Sequence, residues 1–295
     1  MEYMDVLISK RRGKVRVWLD YVARFVTMLA TAFSVLMLIL LIVRVVTEGI
    51  PAINWNFLTG RLSTDPNTAG ILGAILGTLW LMAVVTPITF LFGVCTAIYL
   101  EFYMKENRLK TILSLNIANL AGVPSIVYGI LGLTLFVRGM ELGNVVLAGG
   151  LTISLLILPI AIVTAQEALR AIPADLVEAA YGMGATKGQA IQSVVLPAAL
   201  PSIMTGSILA ISRAIGETAP LVVIGIPTLL LPLPMGIFDK FTTLPMQIYY
   251  WTLDSALIAE YANLAAATII VLLSLLLVLN IIAVLIRRRY EKYNH

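Results

Sequence analysis

Long apolar runs alternate with short polar segments along this chain. A helix needs about 20 mostly apolar residues to cross the hydrocarbon core of a membrane. Six runs are of that order, and each predicts a spanning helix: 25–43, 71–100, 111–137, 142–165, 198–226 and 263–286. The pattern therefore predicts an all-α integral membrane protein with about six transmembrane helices.

The composition agrees with this fold class and narrows the chemistry. Of the 295 residues, 60% are hydrophobic and 12% are charged, whereas soluble domains are about 45–50% apolar and about 25% charged. The single cysteine, Cys95, and the single histidine, His295, exclude a disulfide framework and a thiolate metal site. The first apolar run is too long for the core of a signal peptide, and no small-residue cleavage site follows it. We therefore expect it to be an uncleaved anchor.

Lysine and arginine side chains collect on one side of the predicted topology. Fifteen of them lie in the two ends of the chain and in the segments 101–110 and 166–197, against four on the other side. Cytoplasmic loops of membrane proteins are richer in these residues. We therefore expect both termini and the 166–197 loop to be cytoplasmic, and the segments 47–70, 138–141 and 227–262 to be external.

The same pattern divides the chain into three parts. Residues 1–69 hold an N-terminal cytoplasmic segment, the first spanning helix and an external loop. Residues 70–286 form the membrane core, and residues 287–295 form a basic cytoplasmic tail. Pro124 and Pro220 interrupt apolar runs of the core. Because proline removes a backbone hydrogen bond and kinks a helix, we expect both prolines to bend their spans and to serve as hinges.

Residues 182–188 superficially look like a phosphate-binding loop, but their order is wrong. In such a loop the lysine follows the last glycine, and backbone N–H groups surround the phosphate. Here Lys187 precedes Gly188, and no buried strand leads into the loop. No nucleophilic-serine elbow and no histidine–carboxylate metal spacing occurs either. We therefore expect this chain not to be an enzyme, to hold no cofactor or metal of its own, and to bind no nucleic acid.

The 166–197 loop carries helix signals although it is too polar to span a membrane. Asp175 stands three residues before Glu178, and Thr186 stands three residues before Gln189, so each pair predicts a capping box. Gly184 can end the first helix in a left-handed conformation. A short helix with a smooth alanine face can enter a groove on another protein. The alternative is a linker that has no partner.

This loop resembles the EAA loop of bacterial ABC importer permeases. The family pattern is Glu-Ala-Ala, three residues, Gly, nine residues, Ile, one residue, Leu-Pro, and valine at position 194 is the one departure from it. The resemblance implies a type I (MetI-like) permease bundle whose loop docks into an ATPase subunit, and that subunit binds the ATP and Mg²⁺. It assigns docking to six residues: Glu178, Ala179, Ala180, Gly184, Leu196 and Pro197.

Two charged residues, Arg213 and Glu217, interrupt the fifth apolar run. Because they are four residues apart, they share one face of a helix. A charge at mid-membrane costs about 2.5–3.5 kcal/mol or more, and such charges usually mark an ion path. The planar fork of arginine suits a tetrahedral oxyanion. We expect this pair to line the substrate path, with Ser212, Thr218 and Arg170 as weaker candidates. The alternative is an ion pair that only locks two helices.

The run Arg-Ala-Ile-Gly-Glu-Thr-Ala-Pro-Leu at 213–221, and residues 119–129, strongly resemble the phosphate ABC importer permeases. The resemblance covers roughly residues 70–285. It implies a heterodimer with a sister permease (PstC-like), two ATPase subunits (PstB-like) and an external phosphate-binding protein (PstS-like) in a bacterial or archaeal cell membrane. A permease for sulfate or molybdate and, from another class, a stand-alone secondary transporter remain alternatives.

Overall fold

The computed structural model of the protein describes residues 2–227 and 232–291, with side chains for 17–227 and 232–289. Parts of the expected N-terminal cytoplasmic segment and of the basic tail therefore lie outside the described residues. The α-helices of the described ranges are α1 (Glu2–Gly49), α2 (Trp55–Thr59), α3 (Leu72–Ile98), α4 (Arg108–Leu120), α5 (Ser125–Gly132), α6 (Val146–Arg170), α7 (Ala174–Gly182), α8 (Lys187–Ala190), α9 (Leu196–Gly216), α10 (Ala219–Ile224), α11 (Leu244–Asp254) and α12 (Glu260–Glu291). The remaining helical segments are a 3₁₀ turn, Ile50–Ala52, and the π-helical segments Tyr99–Tyr103, Leu133–Gly139 and Ile191–Val195.

Several of these segments have the length and apolarity of membrane-crossing helices. Five qualify on their own: Val17–Ala52, Leu72–Tyr103, Val146–Arg170, Lys187–Gly216 and Glu260–Arg289. A sixth crossing is possible if α4 and α5, with its π-helical extension, count as one bent span. The prediction of an all-α, multi-pass membrane protein is confirmed.

The third expected span, 111–137, is not one continuous helix. α4 ends at Leu120, α5 begins at Ser125, and the two helices are bent by 98° at the break. Pro124 occupies the cap position of α5 with φ −55° and ψ 135°. A proline has no backbone N–H and disfavours the helical conformation of the residue before it. The bend that we expected at this proline is therefore a break between two helices.

The fifth expected span, 198–226, also differs from a single helix. α9 stops at Gly216, and Glu217 is extended (φ −73°, ψ 123°) before α10 begins. Pro220 lies in the first turn of α10, where a missing N–H leaves no hydrogen bond unmade. It therefore starts a helix instead of bending one. At its other end this span begins earlier than expected, at Lys187, because a π-helical segment joins α8 to α9.

Helices α3 and α6 pack face to face with glycine at their contacts. A Cβ added to Gly150 of α6 would lie 2.6 Å from Cγ1 of Val84, and one added to Gly93 of α3 would lie 3.0 Å from Cβ of Ala161. Small residues let helix backbones approach this closely in membranes. α10 contributes the fully buried Leu221 to the same core.

The segment after α10 does not stay outside the bundle as a simple external loop. Phe241 is fully buried against a glycine of α6. Trp251 of α11 is buried as well, with its ring centroid 6.3 Å from that of Phe57 and 6.4 Å from that of Tyr261. Much of 227–262, which the apolar pattern assigned to an external loop, therefore packs against the helices.

The first helix packs against the others over only a small part of its surface. Its large apolar side chains between Val17 and Val43 are exposed, and none of its apolar window is buried within the chain. It approaches α12 near its end, where a Cβ added to Gly49 would lie 2.8 Å from the backbone of Ala266. In a membrane protein, an apolar surface of this size faces lipid or another subunit.

Candidate functional site

Arg213 and Glu217 form an ion pair at the interruption between α9 and α10. Nε of Arg213 donates to Oε1 of Glu217 over 3.2 Å. Arg213 belongs to the last turn of α9, whereas Glu217 is the extended residue after it. The Arg213 side chain is 50% exposed and that of Glu217 is 16% exposed. The carboxylate is therefore held against the protein while the guanidinium keeps an open side.

The open side of this guanidinium carries unused hydrogen-bonding capacity. Arginine presents five N–H donors in a planar fork, and the contact with Glu217 uses only the one on Nε. Among the described residues, no other acceptor bonds to Arg213. The pair can therefore offer donors to an oxyanion while the carboxylate fixes the orientation of the fork.

Ser212 and Thr218, two of the weaker candidates for the substrate path, flank this pair in the sequence. Only Thr218 lies beside it in the structure. Thr218 follows Glu217 in the break between the helices, with its Oγ1 3.5 Å from the carbonyl oxygen of Gly216. Ser212 instead contacts α12, where its hydroxyl donates to Oδ1 of Asn280 over 2.7 Å. Ser212 thus ties α9 to α12, and the structure does not bring it to the Arg213 pair. Asn280, a polar residue within the last apolar run, was missed by the sequence reasoning.

The helices that follow the two interruptions pack against each other. α5 packs on α10, and a Cβ added to Gly129 would lie only 2.8 Å from Cα of Pro220. Tyr128 donates from its hydroxyl to the carbonyl oxygen of Leu120 over 2.9 Å, across the break between α4 and α5. Pro124 and Pro220 therefore begin two neighbouring helices. Whether they act as hinges stays a prediction.

Arg170 lies at the opposite end of α6 from these breaks, in a separate charged cluster. Its Nη2 donates to Oε1 of Glu101 over 2.7 Å, and Nε2 of Gln166 donates to the same oxygen over 2.8 Å. Nζ of Lys110 is 3.8 Å from the other carboxylate oxygen. Sequence reasoning missed Glu101. The available signal was an acidic residue at the end of a long apolar run, facing basic residues at the ends of other spans.

The segment between α6 and the third π-helical segment, residues 171–190, is called the coupling segment below. It contains α7 and α8 joined by a tight turn. Gly184 in that turn has φ +85°, as expected for a left-handed helix end. Thr186 caps α8: its backbone N–H donates to Oε1 of Gln189 over 2.8 Å, and its Oγ1 accepts from the backbone N–H of Gln189 over 3.4 Å. This second capping box is confirmed.

The first expected capping box is wrong. α7 begins at Ala174 with Pro173 in the cap position, so Asp175 lies inside the first turn. The cap of α7 has no side-chain hydrogen bond. Proline has no side-chain acceptor, so Pro173 starts the helix without making the capping bond that an aspartate would make. The carboxylate of Asp175 can still favour the positive end of the helix dipole.

The six expected docking residues differ in exposure. Glu178, Ala179 and Gly184 are exposed, whereas Ala180 is only 4% exposed and belongs to the inner face of α7. Leu196 and Pro197 are half-buried at the start of α9. Two apolar side chains that the motif does not include, Leu176 and Met183, are 46% and 84% exposed. The coupling segment thus has an outer surface of mixed charge and apolar character.

Comparisons with known proteins agree on one kind of molecule. Residues 90–292 match the family model described as "Binding-protein-dependent transport system inner membrane component". The phosphate transport system permease protein PstA of Yersinia pestis is 31% identical over 95% of this chain and 94% of its own length. PstA of Haemophilus influenzae is 30% identical over 80% of this chain and 82% of its own. The fold is similar to that in inward-facing conformations of the MetNI methionine ABC transporter, with a TM-score of 0.60 and 18% identity over 75% of this chain and 95% of that one.

Proposed function

The chain belongs to the family of binding-protein-dependent transport system inner membrane components, and we propose that its cargo is inorganic phosphate. It is a multi-pass membrane permease of the ABC importer type, and not itself a catalytic enzyme. The observation that supports the cargo is the half-open Arg213–Glu217 pair at a break in a membrane helix. Relatives named as phosphate permeases support the same cargo.

The chemistry of the Arg213 pair favours a tetrahedral oxyanion that carries a proton. The free N–H groups of the fork can bind two oxygens of such an ion in parallel. Glu217 holds the fork when the ion is absent, which limits the cost of an intramembrane charge. Phosphate can donate a hydrogen bond to Glu217, whereas sulfate and molybdate dianions cannot. A sulfate or molybdate permease is therefore the second candidate.

Binding at this pair should be weak and transient. A site that holds an ion tightly cannot release it to the other side of the membrane. The two adjacent helix breaks favour this behaviour, because discontinuous helices commonly form the substrate sites of transporters. Here the middle of α5, at Gly129, lies against the start of α10, at Pro220, so a small shift of either helix alters the surroundings of Arg213.

In our proposal, the motion of the ATPase subunits reaches Arg213 through the coupling segment. α8, the π-helical segment after it and α9 form one continuous span, Lys187–Gly216. Lys187 and Arg213 are separated by 26 residues, or about 39 Å of helix at 1.5 Å per residue. A displacement of the coupling segment is therefore passed along α9 to Arg213 without crossing an interface.

The remaining partners follow from this mechanism. The exposed surface of Glu178, Ala179 and Gly184 docks into one of two ATPase subunits, and those subunits bind the ATP and Mg²⁺. A sister permease completes the path, and an external phosphate-binding protein delivers the ion. The excess of basic residues at both ends of the chain and in the segments 101–110 and 166–197 supports cytoplasmic termini in a bacterial or archaeal cell membrane.

A reconstituted complex tests the proposal. The chain is co-purified with its partner subunits, placed in vesicles, and assayed for phosphate uptake and phosphate-dependent ATP hydrolysis. Arg213→Ala should abolish uptake while the complex still assembles. Arg44→Ala is the matched control, since Arg44 and Glu48 also form an i,i+4 pair, with Nε 2.9 Å from Oε1.

Two results would contradict the proposal. Uptake by Arg213→Ala at the wild-type rate would show that the Arg213–Glu217 ion pair has only a structural role. Uptake of sulfate or molybdate in place of phosphate by the wild-type complex would favour the second candidate. A stand-alone transporter would take up phosphate without the ATPase, and replacing Glu178 and Gly184 would leave its transport unaffected.

A further inference from the structure

We propose that Glu101 is a positioning residue that makes α3 move together with the coupling segment. This inference rests on the proposed function, in which the ATPase moves that segment. Glu101 lies in the π-helical end of α3, at residues Tyr99–Tyr103. It is not part of the docking surface or of the substrate path. Its contacts instead lead to the base of α6, directly before the coupling segment.

The carboxylate of Glu101 is the shared partner of side chains from two other helices. Arg170 and Gln166 of α6 both donate to Oε1, and Lys110 of α4 lies 3.8 Å from Oε2. The Glu101 and Lys110 side chains are only 11% and 8% exposed. A buried carboxylate is stable only when paired and hydrogen-bonded. Arg170 and Gln166 therefore hold the end of α3 against the last turn of α6, and the ion pair with Lys110 links it to α4.

A second contact joins the same short segment to the far side of the coupling segment. Nζ of Lys187 lies over the ring of Tyr103, 5.3 Å from its centroid. Lys187 is the first residue of α8, and Arg170 is the last residue of α6. The end of α3 thus contacts the chain on both sides of α7. Two such contacts restrain α7 relative to α3.

Apolar packing between α3 and α7 is incomplete, which makes these polar contacts more important. An open groove of about 390 Å³ is lined by Glu101 and Phe102 from the end of α3 and by Val177, Glu178 and Tyr181 from α7. Groups that line a groove lack contact partners on its side. Motion of α7 is therefore passed to α3 through Glu101 and Tyr103 more than through direct packing of α7.

The motion of the coupling segment therefore reaches α9 and α3 by two different routes. α9 follows the coupling segment because the backbone is continuous from Lys187 to Gly216. α3 has no such continuity, and it follows because Glu101 ties it to Arg170. Without the tie, the ATPase can still bind, hydrolyse ATP and move α9. The end of α3 then no longer moves in step with the last turn of α6, and hydrolysis is uncoupled from transport.

The test compares Glu101→Ala with Glu106→Gln in the complete complex. Glu106 also bonds to Lys110 but is 84% exposed and has no hydrogen bond or ion pair with α6 among the described residues, so its loss leaves the Glu101–Arg170 contact intact. Glu101→Ala should lower the phosphate moved per ATP hydrolysed by roughly tenfold or more, the factor that corresponds to losing one hydrogen bond to a charged group. Glu106→Gln should leave that ratio unchanged.

Two further variants separate positioning from loss of fold. Arg170→Ala should uncouple in the same direction, and the Glu101→Ala/Arg170→Ala double variant should be no worse than the single ones, because both remove one shared contact. A merely structural role would lower assembly, ATP hydrolysis and transport in proportion, and the ratio would stay constant. A constant ratio in Glu101→Ala overturns the inference.

A readout that does not depend on the cargo completes the design. Hydrogen exchange is measured on the assembled complex with and without ATP and vanadate. In the wild type, residues 99–103 and 174–182 should change protection together; in Glu101→Ala only 174–182 should change. Independent behaviour of the two segments in the wild type also overturns the inference. Failure of the wild type to transport phosphate, with this joint change intact, would contradict only the proposed cargo.

Discussion

Arg213 and Glu217 stay paired across the end of a helix. Nε and Oε1 are 3.2 Å apart, although α9 stops at Gly216 and Glu217 is extended. In a continuous helix the same spacing would place both side chains on one face as a fixed pair. Here one partner belongs to the helix and the other to the break after it. A change in the break therefore changes the charge that an ion meets at Arg213.

Replacing Arg213 by lysine tests whether the planar fork matters beyond its charge. Arg213→Lys keeps the positive charge but cannot bind two oxygens in parallel. Loss of one charge-assisted hydrogen bond, about 1.5–3 kcal/mol, should raise the half-saturating phosphate concentration by roughly 10- to 150-fold. The measurement is uptake against phosphate concentration in vesicles, with Arg44→Lys as control. An unchanged concentration dependence would count against a bidentate site.

Neutralising Glu217 should have the opposite effect on binding. Glu217→Gln keeps an acceptor oxygen but removes the negative charge that competes with the ion for Arg213. Two charges about 4 Å apart interact by about 1 kcal/mol even at the dielectric constant of water, so the half-saturating concentration should fall by roughly 5-fold or more. The maximal rate should fall as well, because release is slower. A rise in half-saturating concentration would contradict this role.

Replacing Gly184 by a residue with a side chain should destabilise the turn of the coupling segment. Its φ of +85° costs a residue with a side chain about 1–2 kcal/mol. Gly184→Ala should therefore weaken co-purification of the ATPase subunit. Gly182→Ala is the matched control, since neither position has an atom within 4 Å of an added Cβ and Gly182 has no positive φ. Equal effects of the two variants would show that conformation at 184 is unimportant.

The contact between α5 and α10, the helices that follow the two breaks, can be tested at Gly129. A Cβ there would lie 2.8 Å from Cα of Pro220 and 2.9 Å from Cβ of Val223, so α5 and α10 must separate. Overpacking of this kind costs about 1–3 kcal/mol, and Gly129→Ala should lower both the thermal stability and the uptake rate. Gly122→Ala serves as the control, because its added Cβ would lie 3.4 Å from the carbonyl oxygen of Asn119. Normal uptake by Gly129→Ala would argue against a functional contact between α5 and α10.

Two of the local predictions for the coupling segment were correct and one was wrong. The capping box at Thr186 and the left-handed Gly184 were correctly predicted, because both depend on residues three or fewer positions apart. The cap at Asp175 was wrong, although it rested on the same rule. Pro173 fixes the start of α7 upstream, and the rule for capping boxes does not weigh a preceding proline.

The sequence by itself determined the fold class and the positions of the main spans. Length and apolarity along the chain decide which segments can enter a membrane, and that property is additive over neighbouring residues. It also located Arg213, Glu217 and the coupling segment, since charges and motifs are visible in a linear pattern.

Only the tertiary structure decided which residues meet. Glu101 and Arg170 are 69 residues apart, and Ser212 and Asn280 are 68 apart. Nothing in the local pattern of either member selects its partner, because such contacts depend on how whole helices pack. For the same reason the burial of Phe241 and the contact of α5 with α10 at Gly129 became visible only when the bundle was assembled.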